Sequence, residues 1–179
     1  MIVVGFLGAG GRDGELALEV ARRAAATGAR VEMVGAAAPD AAGDARLLEL
    51  AAAGVGHATV IRTGADRLEA ADLDLALHYL PDIRAIVLVG PDPALVAPAS
   101  AESGWSGAGL VIISSRAAKL DTSGAPRAIV LEPPPSDSDG TFAGLVAALA
   151  ARLDAGEDPA AAWQATASAL AVDKVAERT

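Results

Sequence analysis

The chain has 179 residues, 53% hydrophobic and only 3% aromatic, with a net charge of −9 and no cysteine. So acidic a balance argues against nucleic acid or an anionic membrane surface as a main partner, because both need a basic face. The missing thiol excludes cysteine nucleophiles, disulfides and cysteine-ligated zinc, and it fits a cytosolic protein. A chain of this length suits one domain, 1–179, with a core of Ala, Val, Leu and Ile.

Residues 2–7 (IVVGFL) are apolar and β-branched and predict a buried strand; the opening lacks the features of a signal peptide. Residues 14–28 predict a helix with Leu16, Val20 and Ala24 on one face and Gly28 as its stop. A strand over 29–35 and a helix over 43–54 follow. Residues 57–63 alternate, which predicts a strand with one less buried face. A helix over 69–82 is stopped by Pro81, and 84–90 is a buried strand.

Asp92 and Pro93 form an N-cap and first-position pair for a helix over 92–100, which Pro98 should shorten or kink. Strands are predicted over 108–114 and 127–132. In 140–155, Phe142, Leu145, Val146, Leu149 and Leu153 follow the three-and-four spacing of a buried helical stripe. Asp158 and Pro159 open a last helix with Trp163, Ala167 and Leu170 on one face. No apolar run is long enough to span a bilayer.

Strands alternating with helices imply a mainly parallel, doubly wound sheet in a three-layer α/β/α sandwich. Ligands in such sheets meet the carboxyl ends of the strands. That edge should carry residues 5–14, 35–43, 90–93, 114–116 and 132–141. The first turn fits neither the dinucleotide fingerprint nor the phosphate loop of nucleotidases. The turn 133–141 (PPPSDSDGT) is richer: Ser136, Asp137, Ser138 and Asp139 are all good helix caps. Gly140 and Thr141 would offer backbone amides to an anion. His57 and His78 lack a catalytic partner at any motif spacing and read as ordinary surface groups; Arg116 could meet an anion or only water.

Four segments resemble the ribokinase-like (PfkB) carbohydrate kinases, in that family's order. They are Gly10–Gly11 opening a helix, residues 29–55 with Asp40 and Gly43, residues 73–90, and residues 136–171. The resemblance implies a ribokinase-like core, with Gly10, Gly11 and Asp40 on the sugar side. It also implies nucleotide or anion binding at Ser136, Asp137, Ser138, Gly140 and Thr141, with ATP and Mg²⁺ as cofactors; no residue is assigned to a metal. In the family this turn reads G-A-G-D, and its Asp is the base that activates the sugar hydroxyl. Ungapped alignment puts Gly140 at that position and leaves Asp139, one residue early, as the candidate base.

Other departures agree. Glu15 stands where Asn is usual, the early sugar-binding Asp has no equivalent, and the β lid and the T-x-G-x-x-G nucleotide turn are missing. The expected reading is a shortened homologue without kinase activity that retains weak nucleotide or anion binding of a small molecule. One alternative is an active carbohydrate kinase using Asp139 as base with Mg²⁺. Another is a ligand-free homo-oligomer, in which Trp105 and Trp163 anchor self-association over surface that the missing segments uncover.

Overall fold

The computed structural model describes residues 1–7, 11–64, 68–115 and 120–176. Strands and helices alternate through most of the chain: β1 (Ile2–Leu7), α1 (Arg12–Ala26), β2 (Glu32–Ala37), α2 (Ala41–Ala52), β3 (Gly56–Arg62), α3 (Ala70–Tyr79), β4 (Ala85–Val89), α4 (Pro93–Ser106), β5 (Gly109–Ile113), β6 (Ile129–Leu131), α5 (Thr141–Asp154) and α6 (Pro159–Ala176). The strands form one sheet in the order β3-β2-β1-β4-β5-β6, and every pairing is parallel. The order of strand addition reverses between β1 and β4, with β2 and β3 on one side and β4 to β6 on the other, which is the switch point of a doubly wound sheet. Among the described residues no strand lies outside this sheet, so no β lid is present there.

The central strands are buried from end to end, as sheets covered on both faces require. Val3, Val87, Val111 and Ile113 face one core, packed with α1, α5, Leu50 of α2 and Ala162 of α6. Ile2, Val4, Ile86, Leu88, Leu110 and Ile112 face the other, under α3 and α4. The predicted half-exposed strand is β3, which lies at a sheet edge and has no fully buried residue.

Several boundaries differ from the sequence expectation for local reasons. β2 runs over 32–37, not 29–35, because its ladder with β1 pairs Glu32 with Ile2 and continues to Ala37 opposite Leu7. α3 stops at Tyr79, and Leu80 is already extended, as a residue before proline prefers. α4 passes through Pro98 and continues to Ser106, ending at Gly107 in the left-handed region. Burial of Leu95, Val96 and Ala99 holds this helix together across the hydrogen bond that Pro98 cannot make.

Ser100 of α4 is buried, and its Oγ has no hydrogen-bond partner among the described residues. An unpaired buried hydroxyl costs stability. Ser100→Ala is therefore expected to leave the protein unchanged or to stabilise it by up to about 1 kcal/mol, read from urea denaturation midpoints.

Candidate functional site

β6 delivers the chain to residues 132–140, which lead into α5. Pro133, Pro134 and Pro135 have fixed φ and no N–H, so they stiffen this connection. Residues 133–138 border a cleft of about 520 Å³ together with Arg12, Glu15, Glu19 and Arg22 of α1 and Arg46 and Glu49 of α2. The predicted residues Ser136, Asp137 and Ser138 line this cleft. Gly11 and Asp40 do not. Gly11 is the residue preceding α1, and Asp40 caps α2 by accepting the Gly43 N–H at 2.9 Å. Gly10 and Arg116 fall outside the described residues.

A helix leaves its first four N–H groups without partners inside the helix. At α5 these belong to Gly140, Thr141, Phe142 and Ala143, and the turn itself satisfies all four. The Gly140 N–H donates to the Asp137 carbonyl at 3.1 Å. The Thr141 N–H donates to Asp139 Oδ1 at 3.0 Å. Those of Phe142 and Ala143 donate to Asp137 Oδ1 and Oδ2 at 2.8 and 2.9 Å. The amides of Gly140 and Thr141, expected to face an anion, thus face the chain's own oxygens. Asp137 spans two amides at the positive end of the helix, where a carboxylate is favoured.

An added anion would have to enter beside these carboxylates. Two unit charges about 4 Å apart repel by about 4 kcal/mol at an effective dielectric near 20. The turn as folded is a carboxylate-filled helix cap. Asp139, the candidate base, is exposed and holds the Thr141 N–H.

Gly140 adds a second constraint. Its φ is +70°, and a β-carbon there would collide with the Arg23 guanidinium of α1. Arg23 is also tied to Glu19 at 2.6 Å. The cleft's cations are largely spoken for: Arg46 pairs with Glu15 and Glu49, and Arg22 with Glu19. Arg12 forms no ion pair among the described residues. Glu15 is engaged by Arg46.

Sequence reasoning placed Arg12 only within the edge segment 5–14 and missed Arg22, Arg23 and Arg46. Glu19 stands three and four residues before Arg22 and Arg23, the spacing of ordinary solvated helix pairs. Nothing local marks Arg23 as the neighbour of a turn more than a hundred residues away. His57 Nδ1 lies 3.2 Å from the Val55 carbonyl, and His78 Nδ1 lies 2.8 Å from the carbonyl of Asp74 and 3.8 Å from its carboxylate. Among the described residues no His, Asp and Glu group is arranged to hold a metal ion, and no helix is long and apolar enough to cross a membrane.

No protein-family model matches the chain, and neither does any curated protein. Solved structures do. A protein from E. coli described as a ribokinase II, in complex with ATP and Mg²⁺, superposes with a TM-score of 0.58 at 14% identity, covering 84% of this chain and 79% of that one. Its apo form matches with a TM-score of 0.46 at 14% identity, covering 56% of this chain and 42% of that one. A fructokinase from Xylella fastidiosa with bound ATP gives 0.49 at 15% identity, covering 94% and 68%. The matched regions thus cover from 42% to 79% of those chains. At such identities the likeness is one of fold, and the fold is ribokinase-like.

Proposed function

We propose that this protein is a ribokinase-fold homologue that does not phosphorylate sugars and that binds nucleotide or phosphate weakly at most. The observation that carries this reading is the closure of the α5 entrance by Asp137 and Asp139. Phosphoryl transfer asks little covalent chemistry of a protein; it asks for positioned charge stabilisation and a placed nucleophile. Here the donors that would stabilise an incoming phosphoryl group are consumed, and the sugar-side residue Asp40 is engaged in capping α2. Any residual anion binding falls to Arg12 with the exposed hydroxyls of Ser136 and Ser138 at the neighbouring cleft.

ATP with Mg²⁺ is the ligand to test, because the E. coli protein that superposes with a TM-score of 0.58 was solved with both. Calorimetry should give no heat, or a dissociation constant weaker than about 1 mM, equivalent to about −4 kcal/mol. A coupled assay over a panel of sugars should show no ATP consumption above background. Turnover that disappears in Asp139→Asn would overturn the reading and establish an active kinase with Asp139 as its base.

A further inference from the structure

A second groove, of about 830 Å³, lies on the opposite helical layer, between the C-terminal halves of α3 and α4. Leu77, Leu80, Ile83 and Ala101 supply its apolar lining, and Leu77 and Ile83 are themselves buried. On its rim stands Trp105, 86% exposed, which the fold does not use for packing. Trp163, the other tryptophan, is half-buried against the core beneath α5 and α6. Leu75 and Tyr79, one turn apart on α3, are also exposed at 58% and 76%. Single exposed apolar residues are normal, but a fully presented Trp beside an apolar groove marks a contact surface.

Charge identifies the occupant. Asp74, Asp82 and Glu102 border the groove against one guanidinium, Arg84. The imidazole of His78 is also there and leans on Asp74. Both helices end at this groove, so their negative dipole ends add to the carboxylates. A second copy of the chain, itself at a net charge of −9, would bring three more carboxylates to the same face. That disfavours self-association here. A trough between two helices accommodates a third helix, read through apolar anchors at every third or fourth position.

We infer that the α3–α4 groove, with Trp105 as its anchor and Asp74, Asp82 and Glu102 as its rim, binds a cationic amphipathic helix of a partner protein. This inference is independent of any residual chemistry at the α5 turn. The probes are a synthetic Leu/Lys amphipathic helix, a scrambled peptide of identical composition and charge, and a Leu/Glu counterpart. Fluorescence anisotropy of labelled peptide measures binding to the full chain.

The Leu/Lys helix should bind, the scrambled peptide about tenfold more weakly, and the Leu/Glu peptide not at all. Trp105→Ala and Glu102→Gln should each weaken binding about tenfold, with circular dichroism unchanged. Salt at about 1 M should also weaken it by screening the rim. Equal binding of the scrambled peptide, or binding indifferent to Trp105→Ala, would overturn the inference. So would light scattering that shows a concentration-dependent dimer abolished by Trp105→Ala, because the occupant would then be a second copy.

Discussion

Asp137→Ala is expected to lower stability by about 2 kcal/mol, at the upper end for loss of a helix N-cap. One carboxylate here serves two amides, Phe142 and Ala143, at 2.8 and 2.9 Å, and charge-assisted bonds exceed neutral ones. The loss should propagate, because α5 carries Val146, Leu149 and Leu153 into the core shared with α1. Thermal denaturation would show a fall of several degrees, given that about 1 kcal/mol moves the midpoint of a domain this size by roughly 2–4 °C. Asp137→Asn should fall between the two, since it keeps one acceptor oxygen but loses the charge that the helix dipole favours.

The same substitution tests the functional reading. In an Asp137→Ala, Asp139→Ala double variant, the amides of Thr141, Phe142 and Ala143 lose their side-chain acceptors. Inorganic phosphate should then raise the melting temperature of the variant and leave that of the parent chain unchanged, as ligand linkage requires. A parent chain that responds as strongly as the variant would mean that the carboxylates do not close the site. No response in either would mean that the turn is a cap and nothing more.

The sheet was legible because parallel strands covered on both faces must be apolar at every position. Runs such as AIVLV and GLVII are short, β-branched and bounded by turn residues, which favours a buried strand over a helix, and the less apolar sequence of β3 marks it as an edge strand. Helix ends were legible where a residue type has one use, as with Asp92–Pro93 before α4. Pro98 misled, since its propensity cost was outweighed by the burial of Leu95, Val96 and Ala99. The α5 turn was found but its state was not. Asp and Ser are the residues that cap a helix and also residues found around ligands, and the choice depends on which way two carboxylates turn. Only the three-dimensional turn, with both Asp137 oxygens on backbone amides, shows that direction. Arg23 was invisible for another reason: its sequence neighbours supply a sufficient local partner in Glu19.

Gly140→Ala is expected to cost about 2–3 kcal/mol, and the effect should separate into two parts. A φ of +70° is accessible to glycine but costs an L-residue about 1 kcal/mol or more. The rest comes from the Arg23 guanidinium, which occupies the space a β-carbon needs. Overpacking of this kind typically costs about 1–3 kcal/mol, with the low end applying when the neighbour is the tip of a flexible side chain. Arg23→Ala alone removes an exposed pair with Glu19 and should change stability by less than about 1 kcal/mol. In the Arg23→Ala background the cost of Gly140→Ala should drop to the backbone strain alone, about 1 kcal/mol. Urea unfolding of the four proteins gives the coupling directly. A coupling near zero would mean that Arg23 moves aside freely and that the left-handed backbone alone requires glycine. A coupling of about 1 kcal/mol or more would show that a cation from α1 is fixed against the α5 turn, beside the carboxylates that close it.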